Sequence, residues 1–262
     1  MTRQDRWGTP LVGAVLLLLL GGCGEDGRLP ESPPQAAPIT AAVDALQCAG
    51  PVFEKGAGDY ADGGLEQVQD TPEAAWADLV EENDPGVVPH RMAAVTVTQE
   101  RALLVLDTEE GRVVAAAVVA NGTKDVQGGT GWGVEQWAVC DPSELPAEVT
   151  DGWWLQVWEG PDGNRVPTSR VSSYDGPAHC DWQDVRFLEL GDRHYLRDPQ
   201  GKLTDVTRGT FAADVSLPDD ARDTGFHRDG VRLWTVPSGS EVFAVTEGSV
   251  ERWPAATRVG CA

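Results

Sequence analysis

Short apolar segments separated by glycine- and proline-containing turns dominate this chain after residue 90. The segments are rich in Val, Leu, Ala and Trp, a pattern typical of β-strands joined in hairpins. Hairpin connections make neighbouring strands antiparallel. We therefore predict a mainly β (α+β) protein, with strands at 93–98, 101–107, 112–121, 132–140, 153–159, 165–171, 184–190, 194–197, 231–236, 241–246 and 249–253.

One clear amphipathic helix is predicted before these strands. Thr71 is a suitable N-cap, and Pro72 fits the first helical position. The sequence of residues 83–86, Asn-Asp-Pro-Gly, ends the segment. Apolar side chains at helical spacing form one face: Ala75, Trp76, Leu79 and Val80. Two shorter helical segments are predicted at 41–48 and 217–221.

An uninterrupted apolar run lies near the start of the chain, at residues 11–20. Crossing a bilayer core of about 30 Å takes roughly 20 apolar residues, so this shorter run is typical of a signal peptide. Arg3 and Arg6 supply the positive flank of such a peptide. The next tetrad, Leu20-Gly21-Gly22-Cys23, resembles the lipobox of bacterial lipoproteins.

The lipobox resemblance implies an address for the whole protein. It implies a signal peptide over 1–22, cleavage before Cys23, a diacylglycerol on the Cys23 sulfur with palmitate among its acyl chains, and location at the outer face of the cell membrane. Residues 23–40 are rich in proline and acidic residues, and we predict a disordered tether there. The alternatives are an uncleaved anchor and an ordinary signal peptide cut further along.

The four cysteines that remain after Cys23 form an even set, as expected in an oxidising compartment. Four cysteines allow three pairings, and we predict Cys48–Cys140 and Cys180–Cys261, because each pair then brackets one half of the chain. The corresponding domains are an N-terminal α+β domain over 41–150 and a C-terminal β-rich domain over 151–262. No C-x-x-C pair is present, which favours disulfides over a metal site.

The mature chain is also similar, in three short stretches, to uncharacterised actinobacterial secreted lipoproteins. These stretches are 138–144 (AVCDPSE), 176–182 (GPAHCDW) and the end of the chain with Trp253-Pro254 and Gly260-Cys261. The resemblance implies an address and a layout, and it carries no activity.

Charge excludes some ligand classes. With 42 acidic against 20 basic residues the net charge is −22, which repels nucleic acid and anionic lipid. A solvated acidic coat is the simplest interpretation. Two carboxylate groups raise calcium as an alternative, but neither matches an EF-hand loop; they are Asp59 with Asp62, and Asp219 with Asp220 and Asp223.

Motifs of common enzymes are missing from the sequence. The histidines, His90, His179, His194 and His227, form no H-E-x-x-H pattern, and no G-x-S-x-G elbow or P-loop occurs. A catalytic triad built from distant segments stays open, because triads are defined by geometry. We assign no catalytic residue, metal or cofactor.

Tryptophans supply the remaining functional indication. Trp153, Trp154 and Trp158 lie in one predicted strand, where alternation places Trp154 and Trp158 on one face and Trp153 on the other. An exposed aromatic row is a natural platform for a sugar or a peptide; the alternative is that both faces are buried.

Two functional hypotheses follow. The first is a lipid-anchored, non-enzymatic envelope protein that binds an envelope protein or a glycan through the 153–158 region. The second is a secreted surface hydrolase with a dispersed site and His194 or His227 as its base.

Overall fold

Thirteen strands in three antiparallel sheets form the framework of the described chain. The computed structural model describes residue 39 and residues 41–57, 67–83 and 88–258. The sheets contain five, four and four strands, which confirms the prediction of a mainly β protein with few short helices. All of the described residues belong to one compact unit, and the division into two domains at residue 150 stays a prediction.

The first sheet has the strand order β1-β5-β4-β3-β2. Its strands are β1 (Val52–Ala57), β2 (Ala93–Val97), β3 (Arg101–Asp107), β4 (Val113–Lys124) and β5 (Thr130–Cys140). Helix α2 (Pro72–Asn83) packs on one face, and the short helix α1 (Ala42–Ala45) packs on the other. Because both faces are covered, residues 114–119 of the central strand β4 are all buried.

Helix α2 begins where the sequence predicts. The Thr71 hydroxyl accepts a hydrogen bond from the Ala74 N–H at 3.2 Å, as an N-cap does. Trp76 is 2% exposed, and its indole N–H donates to the Pro89 carbonyl at 2.9 Å. The predicted apolar face is buried against the sheet, which confirms it: Ala75, Trp76, Leu79 and Val80.

The second and third sheets are four-stranded meanders that share a hydrophobic core. The second contains β6 (Leu155–Val157), β7 (Val171–Asp175), β8 (Arg186–Leu190) and β9 (Arg193–Arg197). The third contains β10 (Arg222–Arg228), β11 (Val231–Thr235), β12 (Glu241–Thr246) and β13 (Ser249–Pro254). Trp158, which directly follows β6, and large side chains of both sheets fill the core between them, including Leu188, Tyr195, Leu233 and Trp253.

The predicted hairpin of 153–159 with 165–171 forms only next to its turn, where Glu159 pairs with Arg165 and the Val166 N–H donates to the Trp158 carbonyl at 2.9 Å. Strand β6 pairs instead with β7, and residues 166–170 form no strand. Pro167 has no N–H to donate to a strand partner, and the Thr168 N–H and hydroxyl both donate to the Asp141 carboxylate. Residues 217–221 form a turn and no helix.

A disulfide joins Cys48 to Cys140, with the two Cα atoms 5.3 Å apart, which confirms the first predicted pair. It ties the segment before β1 to the end of β5. Cys261 lies outside the described residues, so the Cys180–Cys261 pair stays a prediction. The signal peptide 1–22 with Cys23, and all of the tether 23–40 except Ile39, also lie outside them.

No helix within the described ranges is long and apolar enough to cross a membrane. The short helix α3 (Ala147–Thr150) connects the first sheet to the second.

Candidate ligand-binding cleft

A cleft of about 1010 Å³ opens between the end of the first sheet and one face of the second. One wall is the 49–53 segment, which leads into β1, and the other includes residues 165–170 and the start of β6. The turn 141–144, directly after β5, forms part of the lining. Three aromatic side chains line the cleft: Phe53, Trp154 and Tyr174.

The three tryptophans of the predicted platform have separate environments. Trp153 is 9% exposed and packs in the cluster that contains α2. Trp158 is 3% exposed, packs between the second and third sheets, and donates its indole N–H to Ser173 Oγ at 3.0 Å. Trp154 alone is exposed, at 49%, and it lines the cleft.

The prediction that Trp154 and Trp158 share one face of a strand is wrong, because the strand is shorter than predicted. Strand β6 covers only Leu155–Val157, so strict alternation applies neither to Trp154 nor to Trp158. The chain turns into the first sheet's core at Trp153 and into the second core at Trp158. Of the candidate platform residues Trp153, Trp154 and Trp158, only Trp154 therefore offers an exposed ring.

Trp154 is held in place although it is exposed. Its ring meets Tyr174 edge-on, with centroids 5.6 Å apart and an interplanar angle of 87°. Tyr174 in turn stacks on Phe187 at 5.4 Å and 16°, and Phe187 is 1% exposed. A ring braced in this way loses less conformational entropy when a ligand contacts it.

Two carboxylates of the lining hold the walls together. Asp141 accepts hydrogen bonds from Ser143 N–H at 2.9 Å and from the Thr168 hydroxyl at 2.7 Å. Glu144 accepts from the backbone N–H groups of residues 49 and 50 at 2.7 and 3.2 Å, and forms an ion pair with Arg112. These carboxylates already have their hydrogen-bond partners, so their role is structural.

Arg165 has a similar structural role. Its guanidinium donates to the Leu145 carbonyl and, at 2.6 Å, to the Thr150 hydroxyl. Burial lowers the pKa of Arg165, but a guanidinium keeps its charge at physiological pH.

The Glu189 carboxylate has fewer hydrogen-bond partners than those of Asp141 and Glu144. Its carboxylate accepts from the Tyr174 hydroxyl at 3.3 Å, and His194 Nδ1 lies 3.6 Å away. Burial, with the charge of Glu189, raises the pKa of Tyr174 to about 12. The phenol therefore stays protonated at physiological pH and keeps donating to Glu189.

Arg170 is a second polar residue of the lining whose side chain can bind a ligand. It is exposed, and its guanidinium lies 5.5 Å from the centroid of the Phe226 ring. This contact does not require its N–H groups, which can donate to a ligand.

The Nδ1 atom of each histidine proposed as a base lies beside a carboxylate. Ser172, Glu189 and His194 are register partners across β7, β8 and β9, which places the carboxylate between the hydroxyl and the imidazole. A triad needs the imidazole between the other two. His227 lies on the third sheet, with its Nδ1 3.4 Å from Glu159. Neither histidine supports the hydrolase hypothesis.

The parts of the chain that the structure describes hold no group of three His, Cys, Asp or Glu side chains suited to a metal ion. Asp59 and Asp62 lie outside those parts. No family model, curated protein or solved structure matches the chain.

Several cleft residues were missed by the sequence analysis: Phe53, Arg170, Tyr174 and Glu189. Phe53 lies in the edge strand β1, whose sequence, VFEKGA, has no regular apolar alternation and was not predicted as a strand.

Proposed function

We propose that this protein is a lipid-anchored, non-enzymatic binding protein of the cell envelope, and that its ligand occupies the cleft beside Trp154. The observation that carries the proposal is the exposed Trp154 ring, braced by Tyr174 at the edge of a cleft of about 1010 Å³. Ligand sites are concave, mostly apolar and supplied with a few fixed polar groups, and this cleft has all three properties.

The anchoring part of the proposal rests on the resemblance of residues 20–23 to a lipobox. The Cys48–Cys140 disulfide supports an exported location, because such bonds persist in oxidising compartments. Replacing Cys23 by Ala is expected to release the protein from the membrane fraction while leaving the Cys48–Cys140 bond intact. A Cys23→Ala protein that stays membrane-bound would contradict the anchor.

The binding part is tested by capture from solubilised cell envelope with the purified full chain. We expect wild-type protein to retain envelope material and Trp154→Ala to lose most of it. Val126→Ala is the matched control, because Val126 is 60% exposed and does not line the cleft. Thermal unfolding of each variant shows that the fold is kept. Equal capture by wild type and Trp154→Ala would refute the site.

A further inference from the structure

We infer that the ligand of this cleft is an uncharged saccharide that stacks on Trp154 and is hydrogen-bonded by Glu189 and Arg170. The inference rests on the proposed function and assigns its ligand class. Two properties of the lining favour a saccharide over a peptide: the state of the main-chain donors and the balance of charge.

Most backbone N–H groups of the first wall, residues 49–53, are either hydrogen-bonded already or absent. The N–H groups of Ala49 and Gly50 donate to Glu144, and Pro51 has none. The register with β5 then shifts between Val52 and Glu54, and such bulges disfavour pairing with a further strand.

The opposite wall is similar. The Thr168 N–H donates to Asp141, and the Arg170 N–H donates to the Pro167 carbonyl. A peptide that adds to a sheet edge depends on main-chain hydrogen bonds. With few of these donors available on either wall, recognition falls to side chains.

Charge in the cleft is balanced, although the whole chain carries −22. Three arginines and three carboxylates line it: Arg112, Arg165, Arg170, Asp141, Glu144 and Glu189. Five of the six have hydrogen-bond partners in the lining, as described above; for Glu189 that partner is the Tyr174 hydroxyl. A lining without a dominant sign gives a charged ligand no large electrostatic advantage.

The groups that remain match the chemistry of a sugar. Each sugar hydroxyl both donates and accepts, so the Glu189 carboxylate and the Arg170 guanidinium can bind neighbouring hydroxyls. The flat apolar face of a pyranose ring suits the Trp154 indole, of which 49% is exposed. The volume, about 1010 Å³, is large enough for several sugar rings.

The test is isothermal titration of the purified full chain with chitohexaose, maltohexaose and cellohexaose, and separately with a pool of random decapeptides. We expect at least one hexasaccharide to bind and the peptides not to bind. Trp154→Ala is expected to weaken saccharide binding about 10-fold, which corresponds to about 1.4 kcal/mol, because it removes the aromatic face on which the sugar stacks. Val126→Ala is expected to bind like wild type.

The polar contacts are tested by Glu189→Gln and Arg170→Ala. We expect each to weaken saccharide binding several-fold while the thermal midpoint stays close to that of wild type, because both side chains are partly or fully exposed. Unchanged binding in both variants would overturn the assigned polar contacts.

The outcomes separate the two proposals. If no hexasaccharide binds, but capture of envelope material still depends on Trp154, the saccharide inference is overturned and the proposed function stands. Peptide binding that Trp154→Ala abolishes would likewise overturn the inference alone. If neither saccharide binding nor envelope capture depends on Trp154, both are overturned.

Discussion

Removing the Cys48–Cys140 disulfide is expected to lower the free energy of unfolding by about 4.6 kcal/mol, the chain-entropy value for a closed loop of this length. The bonded residues are 92 apart in sequence, so the bond excludes a large set of unfolded conformations. Such a loss corresponds to roughly a 2,000-fold change in the folding equilibrium. It is a large part of the 5–15 kcal/mol typical of a folded domain.

The same bond supports the cleft. Ala49 and Gly50 follow Cys48 directly and donate their N–H groups to Glu144. Without the bond, this wall of the cleft is held by those hydrogen bonds, by the Arg112–Glu144 ion pair and by the pairing of β1 with β5. We therefore expect Cys48→Ala to weaken ligand capture as well as stability.

Guanidinium chloride unfolding of Cys48→Ala and of Cys48→Ala/Cys140→Ala measures the loss. Reduction of the wild type is a poorer assay, because Cys180 is also disulfide-bonded. The single variant removes the bond but keeps the Cys140 sulfur, which is fully buried. The difference in unfolding free energy between the two variants therefore measures what packing of that sulfur contributes. A loss below about 1 kcal/mol in both variants would refute the loop-entropy reasoning.

Two further predictions concern single carboxylates. Asp141→Ala is expected to cost roughly 3 kcal/mol, because it leaves the buried donors of Thr168 unpaired; thermal unfolding beside the exposed Asp220→Ala control measures this, and equal midpoints would contradict it. The pKa of Glu251 lies below its ordinary value: burial raises it, but hydrogen bonds from Arg197 and Trp253 and the arginine charge outweigh burial. A lowered folded-state pKa gives stability that is present above the unfolded pKa, near 4.5, and is lost as pH falls through the folded value. The unfolding free energy of wild type minus Glu251→Gln should therefore be constant at pH 6–7 and shrink below about pH 4.5; a constant difference down to pH 3 would disprove the linkage.

Local patterns predicted most of the strands and the main helix. Strands β2 to β5, β8, β9 and β11 to β13 lie close to the predicted ranges, and α2 begins at its predicted cap. Three strands were missed: β1 and β10 are edge strands of their sheets, and β7 is an inner strand that shares only Val171 with the predicted 165–171 strand. An edge strand has one partner and less burial, so its sequence carries a weaker apolar alternation.

The cleft was decided by tertiary structure. The Asp141 carboxylate takes the Thr168 donors 27 residues further along the chain, and this contact replaces the strand that the local sequence indicates. Trp153 and Trp158 are buried in different cores, which leaves Trp154 exposed.

The sequence by itself therefore determined the elements whose signal lies among close neighbours: the helix cap, the apolar segments, the turns and a correct cysteine pair. Only the folded chain decided which tryptophan faces solvent, because that depends on which distant surfaces cover each side of a short strand. The wall contacts of Asp141 and Glu144 belong to the same class. They join residues 27 and 95 positions apart, a distance over which hydrophobic periodicity carries no information.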